Sequence, residues 1–219
     1  AGDAERALLQ DSLRGFLKAH WPVDAAVARA ADPAALRRVW RGLAGQGLAA
    51  LGVDPADGGL REALVAMQAL GRAACPAPLI DAVIVNLALS GVALPPPMAA
   101  WHVSVHAGEA YPCLSFGSFD PDPGCGGVAP VDAAPARNAC ARLRGQVDFV
   151  EGAVAATHLV TWVGATRIAV VDLEAGRRHA EVESTPTRAM GAHGLARVTL
   201  RNVPAVIVEI ERSVAELVS

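Results

Sequence analysis

Up to about residue 95, the apolar residues recur with the period of a helix. Leu9, Leu13, Phe16 and Leu17 fall at positions i, i+4, i+7 and i+8, which places them on one face of a helix. Such a stripe packs against other elements while its polar neighbours face water. Helical spacing recurs in two further stripes, Leu36, Val39, Trp40 and Leu43, then Leu60, Leu64, Met67 and Leu70.

Helix start and stop signals bracket these stripes. Asp32-Pro33 is typical of an N-cap followed by proline at the first helical position. Gly45 and Gly47 end that helix, and Gly58-Gly59 indicates a tight loop before the next one. Pro76 and Pro78 stop the third stripe. A fourth helix, 81–90, is apolar on nearly every side, which predicts a position inside a helical bundle.

After Pro95-Pro96-Pro97 the apolar period changes to two. Trp101, Val103 and Val105 alternate with polar residues, which predicts a strand. Turn clusters such as "DPDPGCGG" (120–127) and "EAGRR" (174–178) separate further candidates. These strand candidates are Cys113–Phe119, Gln146–Val150, His158–Val163, Arg167–Asp172 and Ala196–Arg201. Short strands at close spacing favour an antiparallel sheet or a small barrel.

The pattern therefore predicts an α+β fold, with an N-terminal helical bundle followed by an antiparallel β-barrel domain. We expect a helical domain over 1–97 and a β domain over 98–207. Helical spacing returns over 208–217, so 208–219 are predicted to begin another helix.

Composition and charge narrow the possible functions. Hydrophobic residues make up 53% of the 219 positions, which is ample for a core. The apolar run 79–94 is interrupted by Asp81, Asn86 and Ser90, so it predicts a buried helix and no membrane span. The net charge is −3 and no basic stripe carries aromatic residues, so nucleic acid is not an expected partner.

Cysteine and histidine positions offer little support for a metal site. Cys75, Cys113, Cys125 and Cys140 form no CxxC pair, and we interpret them as reduced thiols of a cytoplasmic protein, with a disulfide framework as the weaker alternative. His102 and His106 have the i, i+4 spacing that binds metal on a helix. Because the alternation predicts a strand there, no metal is expected.

Four segments, in order, resemble the acyl-CoA dehydrogenase family. "WRGLAGQGLAALGVDPADGGL" (40–60) is similar to a helix end followed by a loop with a Gly-Gly pair, and "LVAMQALGRAACPAPLIDAVI" (64–84) to the stretch around Glu-Leu-Gly-Arg and Pro-x-Pro-Leu. "LRGQVDFVEGAVAATHLVTWV" (143–163) resembles the segment Leu-x-Gly-x-Lys-x-Phe-Val, and "STPTRAMGAHGLARVTLRNVP" (184–204) the Thr-Arg motif before a strand and Val-Pro.

The resemblance implies a chemistry and a set of partners. It implies α,β-dehydrogenation of an acyl-CoA, in which a base removes the α proton and the β hydrogen leaves as hydride to FAD. It also implies an electron-transfer flavoprotein-like acceptor, a homo- or hetero-oligomer, and a place in lipid or steroid catabolism. The family has a third, helical domain that we expect to be missing from this sequence.

The resemblance also implies flavin-contacting residues. The family's Leu-Thr-Glu-Pro loop corresponds to "LSFGSFDPDPGCGG" (114–127), where Ser115, Phe116, Gly117 and Ser118 replace its core. The flavin-covering strand corresponds to Phe149, Val150 and Glu151. Glu151 stands where many members have threonine, and a carboxylate there would oppose an anionic reduced flavin.

Several residues keep two interpretations. Arg177-Arg178 either contacts a CoA phosphate or is a solvated turn, and Arg188 forms either a salt bridge or a ligand contact. Phe149 is either a flavin contact or a core aromatic residue. Glu209, Glu211 and Glu216 match no catalytic position, so no base is assigned.

Three functions follow as hypotheses. The first is an FAD-dependent acyl-CoA dehydrogenase, of which the sequence contains the first two domains. The second is a catalytically silent partner subunit of a heteromeric dehydrogenase, which Glu151 and the absent Thr-Glu-Pro favour. The third is a non-enzymatic module that binds an acyl group or another protein.

Overall fold

The computed structural model describes residues 2–54, 58–115, 128–130, 140–187 and 194–211. The helices come first in the chain, with one short helix set among the strands. They are α1 (Asp3–His20), α2 (Ala26–Ala30), α3 (Pro33–Ala44), α4 (Leu60–Arg72), α5 (Leu79–Leu89), α6 (Pro96–His106) and α7 (Leu173–Arg178).

Most of the predicted helical features are confirmed. Leu13 and Leu17 of α1 are buried, as are all four residues of the stripe on α3. Asp32 caps α3, because its carboxylate accepts a hydrogen bond from the Ala34 N–H at 2.9 Å. Gly47 has a φ of +82° just beyond that helix, which fits a glycine stop. Helix α5 is largely buried, as its nearly uniform apolar sequence predicts.

The predicted buried stripe of α4 is wrong in part. Leu70 is buried, but the side chains of Leu60 and Leu64 are 61% and 63% exposed. The face that packs inward consists of small residues, Ala63, Ala66 and Ala69, together with Leu70. Alanines let α4 approach its neighbours closely, and this leaves the larger leucines on the outer face.

The strand predicted at Trp101–His106 is wrong, because these residues belong to α6. Helix α6 begins at Pro96, so the proline run starts the helix. Met98, Trp101 and Val105 are its buried residues, at i, i+3 and i+7, and Val103 is 67% exposed. The apolar alternation therefore included one solvent-facing valine, which imitated the period of a strand.

The strands in the described ranges form one mixed sheet of seven strands. They are β1 (Pro112–Ser115), β2 (Val128–Pro130), β3 (Cys140–Glu151), β4 (His158–Trp162), β5 (Arg167–Asp172), β6 (Val182–Pro186) and β7 (Leu195–Glu209). The order along the sheet is β1-β4-β5-β7-β3-β2, and β6 also pairs with β7. Because β1 runs parallel to β4, the predicted antiparallel barrel is corrected to a curled mixed sheet.

Strand β7 is the centre of the sheet. It pairs with β3 along one edge, and with β6 and then β5 along the other. Two irregularities bend the β3–β7 pairing. At one, Asn202 of β7 is an extra residue with φ +63°, and at the other β3 contributes an extra residue between Val147 and Val150.

Two further predictions near the strands need correction. The stretch 174–178, predicted as a turn, lies in α7, whose first turn is capped by the Asp172 carboxylate. The helix predicted from Val208 does not begin there, because β7 continues to Glu209. Residues 212–219 and the predicted strand residues 116–119 lie outside the described residues.

The helices and the sheet share one continuous core of buried apolar side chains. Polar contacts also cross between them. The Trp40 indole N–H donates to the Ala110 carbonyl oxygen at 2.9 Å, and the Arg37 Nε donates to the Ala155 carbonyl oxygen at 2.8 Å. Within the described ranges no helix is long and apolar enough to cross a membrane. The domain limits at 97 and 207 stay a prediction.

Candidate functional site

Phe149 lies at a bulge in β3, and its side chain is exposed to solvent. At this bulge two residues of β3, Asp148 and Phe149, lie opposite the single residue Arg197 of β7. The backbone of Phe149 has φ +57°, an uncommon conformation for a bulky residue, and its side chain is 66% exposed. A regular strand would not hold the ring this way. Bulges often redirect a side chain beside a functional site.

Glu151 and Asp81 line a common pocket. This pocket, called here the α4–α5 pocket, has a volume of about 170 Å³. Its walls come from the end of α4, the loop 75–78, the start of α5, and Tyr111, Glu151 and Gly152. Most of these side chains are apolar, and the two carboxyl groups are its charged members. Phe149 is not one of its lining residues.

The pocket alters the ionisation of its polar groups. Burial, reinforced by the Glu151 carboxylate, raises the pKa of Asp81 to about 7, although a hydrogen bond with the Leu114 backbone acts in the opposite direction. Burial raises the pKa of the Cys75 thiol to about 12, so that thiol stays protonated. Asp81 is therefore shared between its neutral and charged forms near pH 7, within a largely apolar pocket.

Arg177 holds the loop that follows Glu151. Its guanidinium donates to the carbonyl oxygens of Ala156 at 3.0 Å and Ala153 at 2.6 Å, and to the Ser184 hydroxyl oxygen at 3.2 Å. Arg177 therefore lies in a helix and binds its own chain, which corrects the predicted solvated turn, and a contact with a CoA phosphate stays a prediction. Its neighbour Arg178 is exposed.

Tyr111 fixes the opposite wall of the pocket. Its hydroxyl donates to the Pro76 carbonyl oxygen at 3.2 Å, and its backbone N–H donates to the Thr157 hydroxyl oxygen at 2.8 Å. The ring is buried and packs edge-on to Trp40, with ring centroids 6.4 Å apart. One residue therefore connects α3, the loop 75–78 and the loop between β3 and β4.

Of the other predicted flavin-contacting residues, two are buried in strands and the rest lie outside the described residues. Ser115 ends β1 and is buried, and Val150 is buried in β3. Phe116, Gly117, Ser118, Arg188 and Glu216 lie outside the described residues. Asp81 was missed, although an acid in an otherwise apolar helix was the signal available in the sequence.

A larger groove lies between α1 and α4. It has a volume of about 350 Å³, and its lining includes Arg14, Lys18, Trp21 and Arg72. Its described lining contains no carboxyl group and none of the flavin-contacting residues that the family resemblance implies. The smaller α4–α5 pocket is therefore the better candidate, because it contains Glu151 and a second carboxyl group with a shifted pKa.

The described cysteines are unpaired. Cys75, Cys113 and Cys140 are free thiols, as predicted, and Cys125 lies outside the described residues. Within the described part of the chain, no group of three or more His, Cys, Asp or Glu side chains is placed to hold a metal ion.

No protein-family model matches the chain, and no curated protein matches it. Solved structures do match. A variant of the Tcur3481-Tcur3483 steroid ACAD has a TM-score of 0.70 at 22% identity, covering 94% of this chain and 57% of that one. The ChsE4-ChsE5 complex from Mycobacterium tuberculosis has a TM-score of 0.69 at 18% identity, covering 100% and 59%.

An acyl-CoA dehydrogenase from Geobacillus kaustophilus matches with a TM-score of 0.70 at 16% identity, covering 96% of this chain and 59% of that one. The chain thus spans 57–59% of the length of these three structures. At such identities the likeness concerns the fold. The chain has the fold of the corresponding part of acyl-CoA dehydrogenases, which confirms the resemblance found in the sequence.

Proposed function

We propose that this chain is the flavin-facing part of an FAD-dependent acyl-CoA dehydrogenase. The observation that carries the proposal is the bulge at Phe149, which presents an exposed ring at the position that the family resemblance assigns to the flavin. The shared fold supports it. When bound, FAD would accept the hydride released from the β carbon of an acyl thioester.

Among the described residues, Phe149 suits contact with a flavin, whereas the charge of Glu151 is unfavourable for it. Phe149 offers an apolar surface held by the ladder on both sides of the bulge, which suits a flat aromatic ring. Glu151 would oppose a negative charge on that ring. Because the Glu151 side chain lines the α4–α5 pocket with Asp81, we place its carboxylate toward the pocket.

The α4–α5 pocket is the proposed place for the acyl group. Its apolar side chains exclude water from a hydrocarbon, and the carboxyl groups of Asp81 and Glu151 offer hydrogen bonds to a polar substituent. Fatty acyl and steroid side chains are both candidates, since one structure with this fold is described as a steroid ACAD. We assign no catalytic base to this chain.

A second candidate function is a catalytically silent partner subunit. Glu151 at the position where many members of the family have threonine favours it, and two of the matching structures have paired names, the ChsE4-ChsE5 complex and the Tcur3481-Tcur3483 steroid ACAD. In this role the chain would complete the site of an active subunit. Activity would then appear only when the two chains are mixed.

Titration of the purified chain with FAD, followed by quenching of flavin fluorescence, tests the proposal. We expect saturable binding, and bleaching of the flavin absorption by an acyl-CoA if the chain is active by itself. FAD binding with bleaching only after addition of a second dehydrogenase chain would support the partner role. Absence of saturable FAD binding, both alone and in such a mixture, would contradict both.

A further inference from the structure

The side chains of His102 and His106 converge on a single buried oxygen. Both lie on α6, one turn apart, and their ring centroids are 4.2 Å apart. The Nε2 of His102 is 2.8 Å from the Asn86 Oδ1, and the Nε2 of His106 is 3.0 Å from the same atom. Three potential metal-binding atoms from two helices therefore meet at one point.

The orientation of the Asn86 amide is fixed by its other contacts. Asn86 is 1% exposed, and its Nδ2 donates to the carbonyl oxygens of Ala49 at 3.0 Å and Leu51 at 2.8 Å. Because carbonyl oxygens only accept, the amide nitrogen must face them and Oδ1 must face the imidazoles. Each imidazole then donates through Nε2–H, and each Nδ1 keeps its lone pair.

The spacing of these three atoms suits a metal ion. Two ligand atoms about 2.0–2.2 Å from a metal ion are about 3 Å apart when the angle between their bonds to the ion is about 90°, as in tetragonal Cu²⁺ and Ni²⁺ sites, and about 3.4 Å apart at the tetrahedral angle of Zn²⁺. The two nitrogen-to-oxygen distances, 2.8 and 3.0 Å, have the first of these lengths. In the sequence analysis a metal was not expected because His102 and His106 were predicted to lie on a strand. Both residues lie on helix α6, so that reason no longer applies.

We propose that His102, His106 and Asn86 form a binding site for a divalent ion of the Zn²⁺, Ni²⁺ and Cu²⁺ class. The two Nε2 atoms and the amide oxygen supply three ligands, and water supplies the rest. Imidazole favours these ions, whereas Mg²⁺ prefers oxygen ligands. The site is independent of the proposed dehydrogenase function.

Binding of the ion to two neutral imidazoles requires no net loss of protons. As the ion binds, the proton of each Nε2 is lost to water and each Nδ1 takes one up, so two N–H···O hydrogen bonds are replaced by two N–metal bonds. Both histidine residues are partly exposed.

Isothermal titration of the chain, prepared without a histidine tag, with ZnCl₂ tests the site. We expect one Zn²⁺ per chain and no binding of Mg²⁺. His102→Gln and His106→Gln each keep an N–H donor for Asn86 but lose the imidazole, so each should weaken Zn²⁺ binding at least about tenfold. His179→Gln, which changes an exposed histidine elsewhere, should leave it within about twofold.

Equal Zn²⁺ affinity in the wild type and in both variants would overturn the proposal, as would the absence of saturation at one ion per chain. If a variant does not fold, labelling of the wild type with diethyl pyrocarbonate decides the question. Zn²⁺ should then protect His102 and His106 but not His179. Equal labelling of all three with and without Zn²⁺ would overturn the proposal.

Discussion

The Tyr111 hydroxyl donates to the Pro76 carbonyl oxygen across the α4–α5 pocket, at 3.2 Å. This bond joins the residue just before β1 to the loop that follows α4. Because the Tyr111 backbone also exchanges hydrogen bonds with the Thr157 hydroxyl, one buried residue connects both sides of the pocket.

Tyr111→Phe should lower the free energy of unfolding by about 1 kcal/mol, because it leaves the Pro76 carbonyl oxygen without this donor. Urea unfolding followed by tryptophan fluorescence measures the change. We expect a shift in the midpoint at constant slope. A variant as stable as the wild type would show that this hydrogen bond contributes little to the fold.

Asp81→Asn should stabilise the chain above pH 7. The pKa of Asp81 is about 7 in the folded chain, above its ordinary value of 3.8. Between these values the folded state binds more protons than the unfolded state, so stability falls as pH rises from about 4 to about 7 and then levels off. Asparagine removes this loss, and we expect a gain of about 1–3 kcal/mol at pH 8.

Unfolding of both proteins between pH 5 and pH 8 measures this effect. Asp24→Asn, at an exposed position near the end of α1, is the control and should follow the wild type. If Asp81→Asn and the wild type show the same pH dependence, Asp81 titrates as an ordinary surface carboxylate.

Phe149→Ala should weaken FAD binding at least about tenfold, if the ring contacts the flavin as proposed. Its effect on folding should be small, because the side chain is 66% exposed. Val103→Ala, at another exposed apolar position, is the matched control. Flavin fluorescence titration of the three proteins makes the comparison, and equal affinities would place the flavin elsewhere.

Arg177→Ala should destabilise the chain by about 2–4 kcal/mol, because it removes the donors to Ala153, Ala156 and Ser184. Arg178→Ala changes the exposed neighbour and should lie within about 0.5 kcal/mol of the wild type. Thermal unfolding of the two variants provides the test. Similar losses in both would show that helix α7, rather than the guanidinium contacts, is affected.

Leu60→Glu with Leu64→Glu should reduce association of the chain. The two leucines are exposed one turn apart on α4, and an outer apolar stripe of this kind commonly binds another surface. Sedimentation at several concentrations measures the effect. Leu8→Glu, which changes a leucine 70% exposed on α1, is the control, and equal association in all proteins would remove α4 from the interface.

Sequence periodicity identified α1, α3 and α5 because each buries large apolar side chains at regular spacing. It also located α4 but assigned its buried face wrongly in part, because alanines with Leu70 form the inner face and Leu60 and Leu64 lie outside. It failed at α6, where exposed Val103 completed a false alternation. Pro96, at the start of α6, was a sequence signal for a helix there and against the predicted strand.

Less of the candidate site than of the fold could be predicted from the sequence. Phe149 and Glu151 were selected by resemblance, but the bulge depends on pairing with β7, which no local pattern encodes. Asp81 shares a pocket with Glu151 because α5 packs beside the end of β3. His102 and His106 reach Asn86 through the packing of α6 on α5.

Strand β7 has a further consequence for synthesis of the protein. It is the last described strand in the chain, and β3, β5 and β6 each use it as a partner. Until the ribosome has released residue 209, those three strands have unpaired edges. A nascent chain at that stage offers open backbone to any neighbouring polypeptide, so protection by a chaperone would matter most just before β7 emerges.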